Sequence, residues 1–220
     1  MAGQPGFDIS AYPGAAKMAT IKQNTNLVWC AFYLAPSPSH NDDGWMDQRA
    51  TLVGQGWAVV PIYVGQQVIP PGSQHPSAAQ GTTDGQETIS LLGDAGFPSG
   101  TCVYLDLENG PPLPQKLSDY VGAWVDAVAA GGFKPGVYCS HTFAAQVHTL
   151  RPAAQIWAFK VSTNAPHPVP GPPFPTPDPS GSGFPSAAIF QFQQNCQITV
   201  PGVGTLTVDL DSALTANPGV

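Results

Sequence analysis

The sequence predicts an α/β fold: a TIM-like (β/α) barrel with eight strands and with helices missing near the C-terminal end. Three observations carry this. Short β-rich runs alternate with segments of helical spacing through most of the chain, the pattern of parallel strands joined by crossovers. The strand candidates number eight, the count at which such a sheet closes on itself. No GxGxxG or phosphate loop opens any helix, which disfavours an open doubly wound sheet, the alternative architecture.

The elements follow in order. GFDIS (6–10) reads as the first strand, with a helix starting near Pro13, a residue suited to a first turn. LVWCAFYL (27–34) leads through a Pro/Ser/Asp loop to a helix around 45–55. WAVVPIYV (57–64) precedes a Gly/Pro loop and a helix around 82–95. TCVYLDLE (101–108) precedes LSDYVGAWVDAVAAGG, whose apolar residues recur at helical spacing. GVYCS (136–140) is followed by a short helical stretch and then by AQIWAFKV (154–161). A Pro/Gly-rich loop at 162–186 breaks the alternation. AIFQFQQ (188–194) and TLTVDLD (205–211) then follow with no room for a helix between them. Residues 1–220 thus read as a single domain.

Composition narrows the function classes. Of the 220 residues 42% are hydrophobic and 10% charged, so a large core can be buried. The 24 Gly and 25 Pro punctuate apolar runs without repeating, unlike collagen or a disordered chain. A formal net charge of −7 removes the electrostatic basis for binding nucleic acid or an anionic membrane. No apolar run is long enough for a transmembrane segment. MAGQPGFDIS lacks a basic region followed by an apolar stretch, so no signal peptide is visible. Action at the cell envelope, or after non-classical export, is the expectation. Cys30, Cys102, Cys139 and Cys196 are far apart with no CxxC or Cys/His spacing, so no metal site is expected. Four buried thiols are favoured over a disulfide, although the even count decides nothing.

Candidate chemistry comes from side-chain parity, since residues alternate faces along a strand. In the fourth strand Tyr104, Asp106 and Glu108 share one face, opposite Val103, Leu105 and Leu107. Asp8 lies opposite Phe7 and Ile9; Asp209 and Asp211 lie opposite Val208 and Leu210; Gln191 and Gln193 lie opposite Phe190 and Phe192. A lone Asp ending a strand is usually a cap or a turn residue. Repetition of one register on three strands outweighs that reading, because burying unpaired carboxylates is costly. In a barrel these faces converge on the mouth, where active sites lie. Asp106 and Glu108, two residues apart, place their Cα atoms roughly 6.6 Å from each other. Two such acids cannot both ionise easily, so one stays protonated and can protonate a leaving oxygen. That suits glycosidic cleavage.

The chain resembles the family 25 glycoside hydrolases, the barrel-shaped muramidases. It is still more similar to the glycoside-hydrolase-like barrel family known as domain of unknown function 1906. The matching pieces are GFDIS, GWAVVPIYVGQQ (56–67), DGQET (84–88), GTCVYLDLE, GVYCS and TVDLD, in order along nearly the whole chain. The resemblance implies hydrolysis of β-1,4 linkages in an amino-sugar polymer, above all peptidoglycan, without a cofactor. It implies Glu108 as general acid, Asp106 tuning it, and Asp8 and Asp209 binding or orienting the sugar. Asp106 assisting an N-acetyl nucleophile and Asp209 positioning water both stay open as routes. Asp211 matches the motif less well. FQFQQ stands where family 25 usually has Trp-Gln-Tyr, and loss of those aromatics alters recognition; a glycan-binding barrel without catalysis is the alternative.

Other residues divide between chemistry and structure. Tyr63, Gln66 and Gln67 end the third strand and can bond sugar hydroxyls, or Tyr63 can pack a strand end; the two readings stand level. Trp157 could stack on a sugar, although strand aromatics are more often core. His141 reads as a capping or surface residue. Its spacing from Cys139 does not establish a nucleophile pair. Glu87, the other glutamate, fits a solvated helix face.

Overall fold

The computed structural model describes residues 2–68, 75–108 and 113–220. Six strands run parallel, each paired with the next: β1 (Gln4–Asp8), β2 (Trp29–Tyr33), β3 (Ala58–Val64), β4 (Cys102–Leu107), β5 (Lys134–Ser140) and β6 (Gln155–Phe159). Five helices join them: α1 (Ala15–Asn24), α2 (Arg49–Gly54), α3 (Ala78–Asp94), α4 (Gln115–Ala130) and α5 (His141–Leu150). The third helix begins four residues earlier than its periodicity predicts, because the Ser77 side chain accepts from the Gln80 N–H and caps it. The Gly/Pro loop expected after β3 falls largely outside the described residues.

The last quarter of the chain closes the barrel. After a two-residue strand, β7 (His167–Pro168), come two long strands, β8 (Ile189–Val200) and β9 (Gly204–Ala213). The start of β8 lies parallel to β6, and β9 runs antiparallel to both β8 and β1. The result is an eight-stranded closed barrel with one reversed strand, while β7 pairs outside it with the far end of β8. The reversal follows from the short turn between β8 and β9, since only a long crossover could have kept them parallel.

The 162–186 stretch stands in for the helix missing between β6 and β8. It is pinned low on the barrel, where Asn26 and Phe174 exchange two hydrogen bonds, at 2.9 and 2.7 Å. Buried Phe174 and a short 3₁₀ turn at Pro179–Ser182 cover the wall there. The proline-rich composition removes backbone donors that a covering segment without helical bonds would otherwise leave unsatisfied.

Inside the barrel the floor is aromatic. The Trp157 ring meets Trp29, Tyr104 and Tyr138 edge-on, at centroid distances of 5.5, 5.4 and 5.6 Å. Gly6 leaves the space that Trp29 fills: a Cβ there would lie 2.0 Å from the indole. Outside, α3 and α4 pack closely because Gly81 faces the Tyr120 carbonyl, where a Cβ would lie only 2.2 Å away. All four cysteines are buried and unbridged. No helix among the described residues is long and apolar enough to cross a membrane.

Candidate active site

Above the aromatic floor the mouth is acidic. Asp8 from β1, Asp106 from β4, Glu108 just past it and Asp209 from β9 line one cavity with Tyr33, Ile62, Tyr138 and Trp157. Every one of these side chains has the strand parity that turns it inward. The cavity holds ≈ 30 Å³, room for a water or two or for one substituent of a ring. Glu108 stands exposed at the rim, whereas Asp8 and Asp106 are buried. The proline-rich segment does not seal it.

Each acid has its own environment. Tyr33 donates its hydroxyl to Asp8 Oδ1 at 2.8 Å. Burial, then the Asp209 charge, nevertheless push the Asp8 carboxyl well above the usual range. Asp106 is pushed up first by burial and then by Glu108, Asp8 and Asp209. Its Oδ1 is buried with no hydrogen-bond partner among the described residues, which a protonated carboxyl tolerates better than a charged one. Glu108 is raised by desolvation at the rim. Asp209 is better supplied with donors: the Asn195 N–H reaches Oδ1 at 2.6 Å and Gln191 Nε2 reaches Oδ2 at 3.0 Å. Burial still pushes it up to about 6.

Asp211 lies one step deeper on the same face and is fully enclosed. Trp157 Nε1 donates to its Oδ1 at 2.9 Å. Its Oδ2 is buried with no hydrogen-bond partner among the described residues. Burial, followed by the Asp8 and Asp209 charges, pushes Asp211 well up. Asp211 thus adds a fifth, buried carboxyl beneath the cleft. Its parity with Asp209 was the only sequence signal for this.

The structure separates the remaining candidates. Trp157 lines the cavity but is fully buried among Trp29, Tyr104 and Tyr138, so it offers no open face for stacking on a sugar. Gln191 is buried and serves Asp209. Tyr63 does not reach the cleft: it points outward from β3 against Trp124 and gives its hydroxyl to Glu87 at 2.6 Å. Its parity is opposite to that of Ile62, which does line the cleft. Gln66 bonds Asp84 at 3.0 Å on the edge of a separate hollow between the loop after β2 and α3. Gln67 has a role that sequence reasoning missed. Its Nε2 donates to the Asp106 carbonyl at 2.8 Å, and its Oε1 accepts the Glu108 N–H at 3.3 Å. One amide thus clamps the backbone on either side of Leu107. His141 opens α5, with Nδ1 3.3 Å from the Phe159 carbonyl, in a structural position.

The cleft gathers five inward carboxyls, with no lysine or arginine on its lining among the described residues, and raised carboxyls of this kind can transfer protons. Comparisons with known proteins agree with that architecture. A family model described as "Rv2525c-like, glycoside hydrolase-like domain" matches residues 20–213. Among solved structures, a bacterial lysozyme from Streptomyces coelicolor superposes with a TM-score of 0.63 at 15% identity, covering 98% of this chain and 94% of its own. The spore cortex lytic enzyme SleM of Clostridium perfringens gives 0.64 at 13%, covering 96% and 67%. An uncharacterized B. stearothermophilus protein gives 0.65 at 17%, covering 96% of both chains. At these identities the likeness is one of fold. No curated protein matches the sequence.

Proposed function

This chain belongs to the Rv2525c-like, glycoside hydrolase-like family, and from that premise we propose that it hydrolyses β-1,4 linkages in an amino-sugar polymer, peptidoglycan foremost. The observation that carries the proposal is the convergence of Asp8, Asp106, Glu108 and Asp209 on one cavity, with Glu108 alone exposed at its rim.

Each residue has a role that its surroundings support. Glu108, raised by desolvation, is the acid that protonates the leaving glycosidic oxygen. Asp106 behind it is pushed up by burial and then by the Glu108 charge, so the two acids do not both ionise readily. Asp209, held by two donors, is the member of the group best able to carry negative charge beside a developing oxocarbenium ion. Asp8, fixed by Tyr33, accepts a sugar hydroxyl. A sugar ring lies across the mouth, since the cavity admits only one of its substituents.

The neighbours named for lysozyme and cortex-lytic activity support the substrate class. The test is release of reducing ends from purified peptidoglycan, with Glu108→Gln as control. Release by the wild-type protein alone supports the reading. Equal release by both, or binding to amino-sugar polymers with no release from any, would replace it with that of a glycan-binding barrel.

A further inference from the structure

We propose that Asn195 is a positioning residue for Asp209: a bulge in β8 holds residue 195 in the left-handed region, so that its backbone N–H aims the Asp209 carboxylate into the cleft. The consequence for hydrolysis rests on the glycosidase reading, whereas the bond between the two residues does not.

The β8–β9 register skips twice, between Gln191 and Gln193 and again between Gln193 and Cys196. Each skip adds a residue to β8 opposite β9, and such bulges turn a backbone group out of the ladder and re-aim it. Asn195 lies within the second. Its φ of 54° is the only positive value at a non-glycine residue among the described residues. Asparagine is among the non-glycine residues that accept this conformation most readily. The freed N–H meets Asp209 Oδ1 at 2.6 Å, a charge-assisted length.

The bulge is fastened from the other side. Asn195 Nδ2 donates to the Asn164 carbonyl at 2.7 Å. His167 Nε2 lies 2.7 Å from Gln193 Oε1, and β7 pairs with Cys196 and Gln197. The start of the proline-rich stretch therefore braces the bulge. Around Asp209 stand Asp8 on β1, Asp106 and Glu108 at the end of β4, Asp211 on its own strand and Cys196 on β8, with Tyr33 and Tyr138 across the cavity. None of these is a cation, so hydrogen bonds are what offset desolvation at Asp209.

The test replaces the Gln194–Asn195 amide by an ester, which removes the N–H and leaves the side chain in place. Asp209 is then followed by carboxyl carbon NMR against pH, beside Asn195→Gly and Asn195→Val. The ester raises the Asp209 midpoint by about one pH unit, the worth of one hydrogen bond to a charged group. The valine variant, whose branched Cβ resists positive φ, shifts the same way. The glycine variant, which keeps both the conformation and the N–H, titrates as wild type. An ester or valine protein titrating as wild type, or a glycine protein shifting with them, would overturn the proposal. A shifted midpoint without any change in the pH profile of reducing-end release would leave the bond standing and remove the catalytic role of Asp209.

Discussion

Asp8 and Asp209 are register partners in the antiparallel pairing of β1 with β9, so the first and last strands of the barrel deliver their carboxyls to one point of the cleft. Both acids titrate higher than free aspartate, and each counts the other, or their shared neighbours, among the causes. The cleft therefore behaves as one coupled acid system.

Glu108→Gln keeps the size of the side chain and removes its proton. Hydrolysis is expected to fall by about 10²–10⁴-fold, the usual contribution of a general acid. Glycan binding should be retained within a few fold. Initial rates on peptidoglycan, alongside calorimetric binding of a fragment, check both halves.

Stability should decline as pH rises. Asp8, Asp106, Asp209 and Asp211 all have folded-state pKa values above the unfolded ones. Between the two values the native state holds more protons than the unfolded chain, so the stabilisation is full below the unfolded pKa and is lost as pH climbs through the folded one. For Asp209 that window runs from 3.8 to about 6. Urea midpoints measured from pH 4 to 7.5 should fall, and Asp209→Asn should flatten the slope in that window.

Asp211→Asn removes the ionisable group and keeps an oxygen to accept from Trp157. It should leave stability within about 0.5 kcal/mol of wild type at pH 5, as a well-tolerated substitution does. Asp211→Leu strands the buried Trp157 N–H and should cost about 1–3 kcal/mol. Denaturant unfolding of the two variants separates them.

Gln67→Ala releases the backbone clamp between Asp106 and Glu108. A loss of about 1–2 kcal/mol in stability is expected for its two hydrogen bonds. A fall in kcat of about 10-fold or more should accompany it, since small misplacements of a catalytic group are expensive. Substrate binding should change little. Steady-state kinetics on a soluble glycan would show whether the effect falls on kcat.

Much of this was legible from strand parity. Asp8, Asp106, Glu108 and Asp209 could be grouped because a two-residue period fixes the face whatever the partner strand. The same rule, carried through β3, would have put Tyr63 outside with α3. What could not be read were contacts set by tertiary register. Gln67 reaches a strand about 40 residues away, and no local pattern marks an amide that bonds backbone. The Asn195 bulge leaves only two extra polar residues in QFQQNC, indistinguishable from an ordinary strand edge. The reversal of β9 was implicit in the short 195–204 connection, yet the alternation upstream favoured a uniform parallel barrel.

The antiparallel hairpin at the end also sets when the cleft can exist. Residues 8 and 209 meet across almost the whole chain, so on the ribosome the six parallel strands β1 to β6 can form their five pairings long before β9 emerges. Until it does, β1 has an open edge and the acids of β1 and β4 face water. The acidic cleft is thus completed by the last strand of the barrel to be made, and a chain halted before residue 205 carries Glu108 without that cleft around it. Such non-local closure is the slow kind.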